Sequence, residues 1–219
     1  MTDPTEDMLC LQEFDETVAD FYRLDKPKVP WGDYGSILVH GMSSSWRNDD
    51  TAPLELQRTG PFLPPISFPL SRIIVTDAVR GELESSGLTG FSFVPAIKKT
   101  IVRLDWHEWD LFADEPAFHP EGGEPESYIL GNEHSPTLAA RMPELWAMVI
   151  PLGAMEVRVP EGVHYSDTKG QIFIRAGSWK GTDFFHADTT LYNYVSPLAR
   201  SWLLDHYPAW LSFKPVETK

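Results

Sequence analysis

Near the start of the chain, apolar residues recur every three or four positions. Leu11, Phe14, Val18 and Phe21 fall at helical spacing with acids between them, which predicts an amphipathic helix over residues 9–22. Pro27 and Pro30 end that pattern. The segment WGDYGSILVHGM follows, and its apolar run at 37–39 predicts a short strand. Residues 43–65 are polar, proline-rich and punctuated by glycine, which predicts a long loop.

A strand–helix–strand unit is then predicted over residues 71–96. The run 73–75 is β-type, and Thr76 is a good N-cap with Asp77 at the positive end of the helix it starts. Ala78, Val79 and Leu83 form the apolar stripe, Gly87 suits the stop, and Phe91 and Phe93 alternate up to Pro95. The same pattern returns over residues 191–216 at a constant offset of 120. Val75, Arg80, Leu83, Ser92, Phe93 and Pro95 recur as Val195, Arg200, Leu203, Ser212, Phe213 and Pro215, and Thr76 becomes Ser196. Ser196-Pro197 is a cap followed by proline at the first helical position. The matches fall on the cap, the apolar stripe and the closing strand, where a repeated fold unit needs them.

Between the two units, residues 101–104 predict a strand, 115–133 a Pro/Gly/Glu-rich loop, and Ser135-Pro136 a short helix ended by Pro143. Strands are predicted at 145–150, 155–159 and 171–175. The segment from Trp179 to Phe185 reads as a turn feeding a core strand. The expected fold is α+β: a mixed or antiparallel sheet, few short helices and two similar strand–helix–strand units, in a single domain spanning 1–219.

Charge changes this picture by its placement. The formal net charge is −14, from 32 acids against 18 lysines and arginines. Residues 1–22 hold seven acids and residues 104–140 hold nine, with no lysine or arginine in either stretch, so the remainder is nearly neutral. Direct binding of nucleic acid or of an anionic membrane surface needs the opposite sign. An acidic surface suits either a basic protein partner or plain solubility. A single cysteine, Cys10, excludes an internal disulfide framework and a Cys-cluster zinc site. No stretch has the length of a membrane span and no signal peptide opens the chain, so a reducing, cytoplasmic setting is expected.

Common catalytic patterns are missing. There is no G-x-S-x-G, no phosphate-binding glycine loop and no H-E-x-x-H. Ser166-Asp167-Thr168-Lys169 matches S-x-x-K but sits in a polar turn without its partner motifs, and His40-Gly41 has no nucleophile motif beside it. Histidines 40, 107, 119, 134, 164, 186 and 206 are scattered without ligand spacing. The densest constellation is Asp105-Trp106-His107-Glu108-Trp109-Asp110. Three readings fit it: paired carboxylates for acid–base work or a hard metal, an interface patch of aromatic anchors ringed by acids, or a continued strand with Trp106 inside.

The order strand, V-[TS], short helix with Arg and Leu, then F-x-P occurs at both Val75–Pro95 and Val195–Pro215. An Asp183-Phe184-Phe185 step precedes the second copy. This arrangement, and the run VSPLARSWLLDHYPAWLSFKPVE most closely, resembles immunity proteins of bacterial polymorphic-toxin systems, notably the myxobacterial double-CXXCG paralogues. The paired CxxC motifs are absent, so the zinc-type element of those relatives does not carry over. The resemblance implies a cytoplasmic protein without catalysis or cofactor that binds a cognate toxin and blocks it. The acids add the expectation that the toxin is basic, and they place the partner-binding residues at Asp105, Trp106, Glu108, Trp109, Asp110, Asp114, Glu115, Glu121, Glu124 and Glu126. The alternatives are a metal-dependent enzyme built on the 105–110 cluster and a generic protein-binding adaptor.

Overall fold

The computed structural model describes residues 19–43, 53–60, 62–104, 114, 124–158, 172–190 and 192–219. Among them the elements in chain order are β1 (Phe21–Asp25), α1 (Gly32–His40), β2 (Met42–Ser43), β3 (Leu54–Gly60), β4 (Ile66–Ser67), β5 (Ile73–Thr76), α2 (Asp77–Ser85) and β6 (Ser92–Arg103). There follow α3 (Pro125–Gly131), α4 (Pro136–Arg141), β7 (Leu145–Val149), β8 (Leu152–Ala154), β9 (Glu156–Arg158), β10 (Ile172–Ile174), β11 (Phe184–Ala187), β12 (Asn193–Val195), α5 (Pro197–His206) and β13 (Ser212–Val216). Short 3-10 turns occupy Pro69–Ser71 and Pro208–Trp210. The fold is α+β with mixed sheets, and no helix among the described residues is long and apolar enough to cross a membrane.

Contacts divide the described residues into two units. The first holds Leu83–Ser92, Ile150–Lys219 and the described part of Met1–Asp25; the second holds Lys26–Glu82 and Phe93–Val149. In the first, a five-stranded sheet runs β13-β1-β12-β11-β8, accompanied by the pair β10-β9. Phe21, Ala154, Phe185, Ala187, Tyr194 and Val216 of this sheet form a core with Ile174 of β10. In the second, a six-stranded sheet runs β2-β3-β6-β7-β5-β4. Leu54, Leu56, Ile74, Ile101, Leu145 and Ala147 pack there with Ala139 and Met142. β2, at one edge, touches the 3-10 turn that follows β4 at the other edge, so this sheet curls on itself.

The two strand–helix–strand units share more than their order. Their elements begin at 73, 77 and 92 in one and at 193, 197 and 212 in the other, again 120 apart. Each helix starts on a hydroxyl cap: Thr76 Oγ1 accepts from Val79 N at 3.5 Å, and Ser196 Oγ accepts from Ala199 N at 3.1 Å. Each buries the same stripe, Val79 and Leu83 in α2, Ala199 and Leu203 in α5. In neither unit do the two strands touch. β7 lies between β5 and β6, and β1 lies between β12 and β13. β7 places Trp146 opposite Val75, and β1 places Tyr22 opposite Val195. The helix arginine then covers that ring: Arg80 lies 4.1 Å from the Trp146 centroid and Arg200 lies 4.5 Å from that of Tyr22.

Several expectations are corrected. Residues 32–40 form α1, not a strand; a three-residue apolar run does not separate the two, and Tyr34 and Leu38, one turn apart, are both buried. Gly35 permits the fit, because an added Cβ would clash with the Pro30 carbonyl oxygen. The predicted loop 43–65 contains β3, whose Leu54 and Leu56 alternate with Glu55 and Gln57. β6 runs unbroken through Pro95, because pairing with β3 begins only at Ala96 and the missing N–H costs no bond there. The predicted loop 115–133 contains α3, started by Pro125 at the first helical position. Phe21 and Tyr22 belong to β1, so the helix predicted over 9–22 does not include them; residues 9–18 lie outside the described residues. The predicted strand at 155–159 appears as β9 at Glu156–Arg158, with β8 just ahead of it at Leu152–Ala154.

The two caps differ in quality, and that difference is measurable. Ser196 also donates to Asp183 Oδ1 at 2.7 Å, whereas the Thr76 bond is long. Ser196→Ala is expected to cost about 1–2 kcal/mol in urea unfolding and Thr76→Ala less than half of that. Equal losses would show that cap geometry does not set the cost.

Candidate functional site

Of the expected partner-binding residues, Asp105, Trp106, Glu108, Trp109, Asp110, Glu115 and Glu121 lie outside the described residues, as does the S-x-x-K segment. Asp114, Glu124 and Glu126 are described, and all three are exposed. The structure adds the element that carries two of them. α3 is anchored by buried Pro125 and Ile129, and Tyr128 ties it to β6 by donating from its hydroxyl to the Arg103 carbonyl at 2.8 Å. With that face held down, a neighbouring face of the helix points to solvent. Glu126 and Leu130 stand one turn apart on it, Glu124 precedes the helix and Glu133 follows it, all exposed. Leu130 is 58% exposed, an apolar side chain in a stretch of sequence that has several acids and no lysine or arginine. Such an arrangement has the make-up of a docking point: a desolvatable anchor inside a polar rim. Leu130 and Glu133 escaped the sequence reading because the segment was read as loop.

Two buried polar clusters are also present. In the first unit, Glu156 is buried and its Oε1 accepts from the hydroxyls of Tyr194, at 2.7 Å, and of Thr190. The Glu156 N–H donates to Asp188 Oδ1 at 2.7 Å, and that bond holds the Asp188 carboxyl below the usual range. Burial raises the Tyr194 phenol, so it remains a donor at any ordinary pH. The cluster pins β9 and the turn after β11 to β12.

In the second unit, Arg58 on β3 has no exposed surface. Its Nε donates to the Thr59 carbonyl at 3.1 Å, and its Nη2 donates to those of Val39, at 3.2 Å, and Phe62, at 2.8 Å. It thereby receives one of the last carbonyls of α1, where a cation is favoured. Gly41 (φ 74°) lets the chain turn there, and an added Cβ would meet Arg58 Cβ and the Gln57 carbonyl oxygen at 2.9 Å each. Burial pushes the guanidinium down to about 9. Beside it His40 is buried with its ring edge-on to Phe68 at 5.8 Å. Burial, then the charges of Lys26 and Arg58, push His40 down to about 3.

Among the described residues, no three His, Cys, Asp or Glu side chains are grouped to hold a metal. No protein-family model, curated protein or solved structure matches this chain.

His40 makes stability depend on pH with a definite sign. The folded protein keeps it neutral down to about 3, while in the unfolded chain it takes up a proton near 6.5. The unfolded state therefore binds more protons in that window, and stability falls as pH drops through it, with a slope approaching about 1.4 kcal/mol per pH unit. Urea unfolding of the protein and of His40→Asn between about pH 6.5 and 5.5, above most carboxylate titration, is expected to show a shallower slope in the variant. Parallel slopes would mean that His40 is protonated in the folded state.

Proposed function

We propose that this chain is an immunity protein that binds a basic bacterial toxin in the cytoplasm and occludes its active or substrate-binding site, with no catalysis of its own. The observation that carries this reading is the exposed Leu130 among Glu124, Glu126 and Glu133 on and around α3. It lies inside a stretch, residues 104–140, that has nine acids and no lysine or arginine. A nuclease or deaminase grips nucleic acid with a positive surface. Carboxylates facing that surface steer the encounter, and an apolar anchor slows release. The resemblance of the paired strand–helix–strand units to polymorphic-toxin immunity proteins supports the same reading.

Immunity genes lie beside the genes of their toxins, so the partner to test is the C-terminal domain encoded by the neighbouring gene. Co-expression is expected to restore growth to cells producing that domain. The triple reversal Glu124→Lys, Glu126→Lys and Glu133→Lys is expected to slow association about tenfold or more at low salt and to flatten its salt dependence. Leu130→Asp is expected to speed dissociation by about tenfold, some 1.4 kcal/mol. Growth rescue by a correctly folded triple variant at wild-type association rate would remove α3 from the interface. Failure of the unaltered chain to protect against the neighbouring domain would remove the immunity reading itself.

A further inference from the structure

In the first unit, one turn of the chain draws three exposed apolar side chains together. Leu152 is 54% exposed, and Met155 and Trp179 are each 40% exposed. The segment after β10 runs beside β8 and binds it. Lys180 donates from its backbone N–H to the Gly153 carbonyl at 2.9 Å and from Nζ to the Leu152 carbonyl at 3.1 Å. Met155 N donates to Ser178 Oγ at 3.0 Å, and the Met155 carbonyl accepts from Arg175 N at 2.8 Å. Trp179, between Ser178 and Lys180, is thereby held next to the stretch 152–155. Cations rim this patch. Arg175 and Lys180 are exposed, and Arg175 Nη1 lies 3.8 Å from the Met155 sulfur. Lys219 is fixed beside Arg175, since its N–H donates to the Ile174 carbonyl and its own carbonyl accepts from Ala176 N, at 2.9 Å each. Of the acids nearby, Asp188 is taken up by the Glu156 N–H and Asp20 by the Thr218 N–H.

The chain enters at the edge of the same patch. Phe21 of β1 meets the Trp179 ring edge-on at 5.1 Å, and Thr218, bonded to Asp20, bridges to Ile174. The residues before Ala19 lie outside the described residues. Their sequence carries six acids, Asp3, Glu6, Asp7, Glu13, Asp15 and Glu16, and no lysine or arginine. Leu11, Phe14 and Val18 recur in it at helical spacing. Ten residues of helix are about 15 Å long, the breadth of a few neighbouring side chains. Charge and apolar content therefore complement those of the patch. A tethered segment also meets the patch at an effective concentration on the order of millimolar, ahead of any separate partner.

We propose that Leu152, Met155 and Trp179, rimmed by Arg175, Lys180 and Lys219, are the seat of the chain's own acidic segment at residues 9–18. Leu11, Phe14 and Val18 cover the apolar side chains, and Glu13, Asp15 and Glu16 face the cations. Seating the segment takes Trp179 and Met155 out of water and sets opposite charges together. The surface is an intramolecular clasp and does not depend on the identity of any protein partner.

A nitroxide on Cys10, the single cysteine, tests this in the full chain. Amide resonances of residues 153–155 and 176–181 are expected to broaden, and to sharpen again as salt rises from about 0.05 to 0.5 M. Arg175→Glu with Lys180→Glu is expected to abolish the broadening, and adding Glu13→Lys with Glu16→Lys to restore it. Hydrogen exchange at residues 11–18 of the unlabelled protein is expected to be about tenfold slower than in the Arg175→Glu, Lys180→Glu variant. Should that variant fail to fold, Met155→Asp decides by the same two readouts. Broadening confined to residues 19–22, or unchanged by charge reversal, would overturn the proposal. Broadening that arises only between nitroxide-bearing and isotope-enriched copies would assign the patch to a second copy and overturn it likewise.

Discussion

The slot between the two strands of each strand–helix–strand unit is the constraint on which the rest of the architecture turns. β12 and β13 both run antiparallel to β1, so they are parallel to each other and joined through α5. With β1 removed, their facing edges would have nothing to bond to, and buried backbone groups without partners are among the most costly features a fold can contain. β1 fills the slot by pairing on both sides: Tyr22 stands opposite Val195 on one flank and Pro215 on the other. The same side chain then lies under the Arg200 guanidinium, so the strand that completes the sheet also provides the ring on which α5 rests. β7, Trp146 and Arg80 repeat that solution in the strand–helix–strand unit at 71–96. There Asp77 accepts both the Trp146 indole N–H, at 2.9 Å, and Arg80, which locks ring and cation together.

The two inserted strands are supplied crosswise along the chain. β1 precedes the first strand–helix–strand unit but completes the sheet of the second. β7 precedes the second unit but completes the sheet of the first. This is the connectivity of two similar modules that have traded one strand each, the intramolecular form of a domain swap. Its kinetic consequence follows from loop closure: the five-stranded sheet joins the start of the chain to its end, so it is dominated by non-local pairing and must form late and slowly.

Legibility in the sequence tracked how local each signal was. Caps, stripes and closing strands at 71–96 and 191–216 are read from a few adjacent residues, and the helices fall where those residues put them. α1 was not legible because its buried residues, Tyr34, Gly35, Ser36, Leu38, Val39 and His40, mix polar with apolar. They are buried by packing against β3 and α3, which no local window contains. β3 was hidden for a related reason: one of its buried residues is an arginine, which reads as a solvent position. The inserted strands show no local mark of their role, since being placed between two distant strands is a property of the partners. At the candidate site, the acids at 114, 124 and 126 were visible as charge, but the anchor Leu130 became visible only once α3 existed to turn it outward.

In the second unit one cation, Arg58, is buried, while Lys99, Arg103 and Arg141 are exposed. Carboxylates that crowd an exposed face repel one another and act against the compact state, but in water the cost per pair is small and salt reduces it further. A cation placed among them at the surface would relieve that repulsion and, in doing so, cancel the field that draws a basic partner. Arg58 is instead withdrawn onto backbone carbonyls in the interior, where its charge is met by neutral dipoles at the end of α1. The desolvation cost of that placement is borne by the folded core, in which Leu54 and Leu56 extend the same strand into the apolar cluster. The second unit draws its stability from strand pairing and core burial more than from surface ion pairs such as Lys99–Glu55, which are weak in water.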